Sequence, residues 1–113
     1  MFTKIQKLLE ERKLSDAVSA LMPLYKSDDL KTVAYAAYLL GYINTRYDYD
    51  QRNKAQARRY LRENIHSDYT LPNAYVLYSR VEDDPNIALN HLNSGLLRFP
   101  KDARILKELM VGR

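Results

Sequence analysis

At 113 residues the chain has room for one domain built around one hydrophobic core. Hydrophobic residues make up 46% of it and charged residues 28%, with only three glycines and four prolines, so an all-α globular fold is expected rather than a disordered or turn-rich β chain. The lack of cysteine excludes disulfides and thiolate chemistry, whereas a net charge of +4 permits an acidic or nucleic-acid partner without requiring one.

Apolar residues recur every three or four positions along the chain, which predicts about seven helices. The first is expected at about residues 2–12. The second follows Ser15, a candidate N-cap, and contains Pro23. The third begins after Ser27-Asp28-Asp29, whose acids suit a helix N-terminus, and continues to about Arg46. Because this third helix is apolar on almost all sides, we expect it to lie at the centre of the domain.

The fourth helix follows a polar stretch at residues 47–53 and ends near His66. The fifth opens at Thr70, with Pro72 in its first turn, where the fixed φ of proline is favoured, and it ends by Glu82. The loops between the predicted helices are short. Sequential helices should therefore be antiparallel neighbours.

The sixth helix has Asp84 as a candidate N-cap and Pro85 at its first position, and it runs to Arg98. Asp102 can cap a short last helix that continues to Met110. A single domain over residues 1–113 is therefore expected. Its three hairpins and final capping helix are placed at about residues 2–26, 29–66, 70–98 and 102–110.

The second, fourth and sixth helices share a local pattern, in which a small alanine is followed four residues later by a leucine. The pairs recur at intervals of 40 and 31 residues. Their average is close to the period of about 34 residues that is typical of one kind of helical-hairpin repeat. Alanine lets two helices approach closely, and leucine one turn later fills the gap toward the next hairpin. The pairs are Ala17 with Leu21, Ala57 with Leu61, and Ala88 with Leu92.

Other residues accompany this pattern. Gly95 and Pro100 follow the last pair, and the dipeptide Leu40-Gly41 lies in the third helix. At these positions the chain resembles the tetratricopeptide repeat family, although tryptophan is absent and Ala37 stands where the family usually has a bulky aromatic residue. The resemblance spans nearly the whole chain. It implies antiparallel helical hairpins stacked as a short right-handed superhelix.

The resemblance also implies a concave groove, lined by the first helix of each hairpin, that receives a peptide segment of a partner protein. The register of Leu40-Gly41 aims one face of the third helix at this groove, and placing Leu77 at the corresponding position does the same for the fifth helix. Tyrosine suits such a site because it offers a large contact area and a hydroxyl for a peptide backbone. Alternatively, these tyrosines are ordinary packing residues. The expected groove residues are Tyr35, Tyr38, Tyr42, Tyr75 and Ser79.

From Arg52 to His66, at the predicted fourth helix, the chain carries five cations and a single acid, Glu63. A stripe of this kind can meet nucleic-acid phosphates or an acidic partner, but it is also typical of a solvated face. The five residues are Arg52, Lys54, Arg58, Arg59 and Arg62.

We therefore expect a non-enzymatic protein-binding module, of adaptor or chaperone-like character, with no cofactor. His66 and His91 are too few for a histidine metal site, and no catalytic or phosphate-binding motif is present. No run of residues is long and apolar enough for a membrane span, so a cytoplasmic location without a membrane partner is expected. The alternatives are nucleic-acid or acidic-partner binding through the fourth helix, and a self-assembling repeat protein that forms a homodimer.

Overall fold

The structure, a computed structural model, describes residues 1–111. This part of the chain is all-α, as predicted, and contains seven helices and no strand. The helices are α1 Thr3–Glu10, α2 Leu14–Tyr25, α3 Leu30–Thr45, α4 Lys54–Ile65, α5 Pro72–Val81, α6 Pro85–Arg98 and α7 Ala103–Val111.

Side-chain caps begin four of these helices, and three of the caps were expected from the sequence. The Asp29 carboxylate accepts from Thr32 N at 3.0 Å, and Asp84 accepts from Asn86 N at 2.8 Å. Asp102 likewise accepts two backbone N–H groups of α7. Each cap satisfies donors that the first helical turn leaves unpaired, which is why these helix starts could be read from the sequence.

The expected N-cap role of Ser15 is wrong. The chain reverses earlier, through Arg12 with a φ of 59°, and α2 begins at Leu14. The reason is packing, because Leu14 is buried and must already lie on the core-facing side of the helix. The predicted opening of α5 at Thr70 is also early, since the Thr70 hydroxyl donates to Asn64 and the helix begins at Pro72.

The helices form two layers. Each helix packs on the next along the chain, α3 contacts α5, and α5 contacts α7. The first helix reaches α3 through two contacts with Tyr35: Phe2, which precedes α1, meets its ring edge-on, and Gln6 of α1 donates to its hydroxyl. The odd-numbered helices therefore make one layer and the even-numbered helices the other. The helix α3 is central, as expected, because it contacts α2, α4 and α5.

Small residues hold the two layers at close range. The alanine and leucine of all three repeated pairs are buried in the core, as expected for positions between helices. At Gly41 an added Cβ would lie 2.7 Å from Leu61 Cγ, and at Gly95 it would lie 2.7 Å from Tyr75 Cγ. Glycine is thus required where α3 meets α4 and where α5 meets α6, because any side chain would separate these helices.

Candidate partner-binding groove

A groove of about 370 Å³ lies between α1 and α3 on the odd-numbered layer. All three tyrosines expected from α3 line it, and each is half-buried. Their spacing along α3 places them on one helical face, as the sequence indicated. The complete lining is Gln6, Leu9, Glu10, Tyr35, Tyr38, Leu39, Tyr42 and Arg46.

The tyrosine rings are held in place by other aromatic rings. Tyr35 meets Phe2 edge-on, with ring centroids 4.6 Å apart, and lies parallel to Tyr38 at 6.2 Å. The core has two clusters of buried side chains, one mainly from α4 and α5 and the other mainly from α2 and α3, and Tyr38 and Tyr42 pack against both. The rings therefore contribute to packing and to the exposed surface at once. Little rotamer freedom remains to be lost when a ligand contacts them.

Each tyrosine hydroxyl accepts one hydrogen bond from a neighbouring side chain. Tyr35 accepts from Gln6 Nε2 at 3.1 Å, Tyr38 from Asn73 Nδ2 at 2.9 Å, and Tyr42 from the Arg46 guanidinium at 3.2 Å. Within residues 1–111 the three hydroxyl protons find no acceptor. The groove thus presents a row of hydroxyl groups whose O–H can donate to an incoming acceptor.

Burial raises the pKa of Tyr38, and its hydrogen bond from Asn73 opposes that effect. The positive charge of Arg104, on α7, lies near enough to oppose it as well. Because the pKa is raised overall, the Tyr38 hydroxyl keeps its proton throughout the neutral pH range. Tyr38 therefore remains a donor under physiological conditions.

An ion pair holds Arg46, which lines the groove just after the C-terminal end of α3. Arg46 donates to both Asp48 carboxylate oxygens, at 2.8 and 2.6 Å, and its guanidinium lies 5.6 Å from the centre of the Tyr42 ring. The hydrogen bonds from Arg46 lower the pKa of Asp48. Such a two-bonded pair fixes the guanidinium plane, so Arg46 can hold the Tyr42 hydroxyl in one orientation.

The structure does not bring Tyr75 and Ser79 to the groove, so their assignment there is wrong. Both are 2% exposed. The Tyr75 ring fills the space left by Gly95 and contacts Phe99, while the Ser79 hydroxyl donates to Val76 O. Tyr75 is a core residue of the α5–α6 interface, and Ser79 is a buried residue of α5.

The side chain that α5 contributes beside the groove is Asn73, which the sequence analysis missed. It stands one residue after Pro72, and its amide reaches Tyr38 across the two helices. No local signal marks it, because only the rotation of α5 about its axis decides which side chain faces α3. Gln6 was missed for the same reason.

The basic residues of α4 mostly bond within the chain. Along one face of α4, each cation meets α5 or the loop after it. Arg58 donates to Val81 O at 2.6 Å, and Lys54 lies 3.5 Å from Asp83. Arg62 donates to the Tyr78 hydroxyl. This face of α4 therefore docks α5, which explains the four-residue spacing of its cations.

The remaining two basic residues have local partners. Arg52 donates to the carbonyls of Tyr47 and Tyr49 and so organises the loop before α4. Arg59 lies over the Tyr60 ring, 4.6 Å from its centre, and donates to Gln56. Both arginines remain exposed, but neither belongs to a continuous stripe of unengaged cations.

Comparison of the chain with protein-family models, with curated proteins and with solved structures finds no match. In the part that the structure describes, no three histidine or acidic side chains come together in a metal-binding arrangement. None of the helices between residues 1 and 111 is both long and apolar enough to cross a membrane.

Proposed function

We propose that the chain is a non-enzymatic protein-binding module that holds a peptide segment of a partner in the groove between α1 and α3. One observation carries the proposal: three tyrosine hydroxyls on one face of α3 line an open groove, and each accepts a hydrogen bond while its own proton has no acceptor within residues 1–111. A peptide backbone presents carbonyl oxygens at regular intervals. Those oxygens are the acceptors that such a row of donors fits.

The rings and the hydroxyls have different tasks in this proposal. The half-buried rings of Tyr35, Tyr38 and Tyr42 supply apolar contact area at small entropic cost. The hydroxyls set the direction of the bound backbone. Among the described lining residues there is no serine, cysteine or histidine, so the groove suits binding better than nucleophilic chemistry.

A random-sequence peptide library, displayed on phage and selected on the immobilised protein, tests this function. The selected peptides are then titrated against Tyr42→Phe, which removes the hydroxyl and keeps the ring. Arg46 retains both bonds to Asp48 in this variant, so the local structure should survive. Loss of one hydrogen bond should weaken binding by about 0.5–1.5 kcal/mol, or roughly two- to tenfold.

The matched control is Tyr47→Phe, because Tyr47 is 83% exposed and lies in the loop between α3 and α4, outside the groove. Its affinity for the selected peptides should equal that of the unaltered protein. Equal affinities for all three proteins would refute the role of the groove hydroxyls. Binding that falls steeply with salt would instead assign the interaction to exposed cations such as Arg59.

A further inference from the structure

The outer face of α6 exposes apolar and amide side chains and almost no charge. Leu97 is 85% exposed, and Leu89 also reaches solvent. Between Asp84 and Arg98 the chain has no aspartate, glutamate, lysine or arginine. By contrast, α4 exposes four charged side chains, Lys54, Arg59, Arg62 and Glu63. Depletion of charge around exposed apolar residues is typical of the core of a protein interface.

Four exposed side chains on α6 form one stripe, with spacings that alternate between four and three residues. This spacing is the seam along which two helices pair in a coiled coil. A side-chain amide both donates and accepts hydrogen bonds, so a seam rich in asparagine can bond to a copy of itself. The stripe consists of Asn86, Asn90, Asn93 and Leu97.

We propose that α6 is a dimer interface that pairs with α6 of a second copy of this chain, antiparallel about a two-fold axis. Placing Asn90 opposite Asn93 of the second copy aligns two amide pairs at the centre. The same register sets Asn86 opposite Leu97 at each end. A two-fold axis makes each contact occur twice, as an isologous interface requires.

The charges at the two ends of α6 select this orientation. Asp83 and Asp84 precede the helix, whereas Arg98 closes it and Lys101 follows. Asp83 remains exposed although Lys54 lies 3.5 Å away. In an antiparallel pair the acidic end of each copy meets the basic end of the other, and the helix dipoles oppose each other. A parallel pair would place like charges together.

The size of the seam predicts a weak dimer. The 14 residues of α6 span about 21 Å, and a helix is roughly 10 Å wide, so the contact is smaller than a standard interface of about 800 Å² per partner. Association should therefore depend strongly on protein concentration. The peptide groove stays open in this dimer, because it lies on the other layer of helices.

Sedimentation velocity over a range of protein concentrations tests the pairing with two charge variants. The double variant Asn90→Lys, Asn93→Lys places like charges opposite each other and should raise the dimer dissociation constant by at least about tenfold. The double variant Asn90→Lys, Asn93→Glu places lysine opposite glutamate and should remain a dimer. Both changes are at exposed positions, so circular dichroism should show intact helices.

Three results would overturn the proposal: an unaltered protein that stays monomeric at every concentration, a dimer that the two lysines leave unchanged, or a Lys/Glu variant that dimerises as weakly as the Lys/Lys variant.

A cross-linking measurement covers the case of a variant that fails to fold. The chain has no cysteine, so Asn90→Cys mixed with Asn93→Cys should give the mixed disulfide faster than either protein cross-links with itself. Preference for self-cross-linking would contradict the antiparallel register.

Discussion

Asn64 holds α4 to its neighbours, and replacing it with aspartate isolates the contribution of one buried amide. Its side chain is 0% exposed. Its Nδ2 donates to Ala34 O at 2.9 Å, and its Oδ1 accepts from Leu71 N at 3.0 Å and from the Thr70 hydroxyl at 3.3 Å. Aspartate has nearly the same shape, but an ionised carboxylate only accepts. It would therefore face the Ala34 carbonyl without a proton between them.

The expected cost of Asn64→Asp at pH 7 is about 3 kcal/mol of unfolding free energy. A buried polar group that loses its partner costs about 1–3 kcal/mol, and the desolvated charge adds to this. Burial should also raise the pKa of the new carboxyl above the usual value of about 3.9. Once protonated, the carboxyl can donate to Ala34 O as the amide does.

The sign of the pH dependence follows from that raised pKa. The stabilising protonated form is fully present below about pH 3.9 and is lost as the pH rises through the folded-state pKa. Urea unfolding, followed by circular dichroism at pH 7 and pH 4, should therefore show a smaller difference from the unaltered protein at pH 4. The exposed change Gln51→Glu is the matched control and should cost less than about 0.5 kcal/mol. A cost below about 1 kcal/mol at pH 7, or an equal cost at both pH values, would refute the reasoning.

Two further predictions concern helix contact and alkaline stability. Gly95→Ala should lower the unfolding free energy, measured by urea unfolding, by about 1–3 kcal/mol, because the new Cβ would lie 2.7 Å from the buried Tyr75 ring. The control Ser94→Ala, at an exposed position, should change the unfolding free energy little. Partial burial raises the pKa of Tyr25, and a hydrogen bond to Glu63 raises it further, from 10.0 to about 12. Its contribution to stability is thus present below pH 10 and lost as the pH rises through about 12, so Tyr25→Phe should lose less stability over that interval than the unaltered protein. Equal losses of stability in the two proteins would contradict the assignment of this pH dependence to Tyr25.

The starts of several helices are predictable because they depend on local signals. Asp84 followed by Pro85 marks both the cap and the first helical position of α6, and Asp102 marks the cap of α7. These contacts span two or three residues, so they depend little on the rest of the fold. The beginning of α2 depends instead on burial of Leu14, which only tertiary packing decides.

The rotation of a helix about its axis was predictable where a glycine marks one side. The Leu40-Gly41 register put Tyr35, Tyr38 and Tyr42 on one face of α3, and they do reach the groove, while Gly41 lies against α4. The helix α5 has buried residues on nearly every side, from Ala74 to Val81, and so lacks a polar face to show its orientation. For that reason Tyr75 was placed in the groove and Asn73 was missed. The right-handed superhelical twist and membership of the tetratricopeptide family stay predictions.

The central claim is that a partner peptide lies on the layer of odd-numbered helices, against the tyrosines of α3. An amide chemical-shift map recorded while a selected peptide is titrated into the protein tests it most directly. We expect the largest shifts around Gln6, Tyr35, Tyr38, Tyr42 and Asn73, with small shifts along α4 and α6. Shifts concentrated along α4 instead, around Arg59 and Arg62, would contradict the claim and move the binding surface to the basic helix.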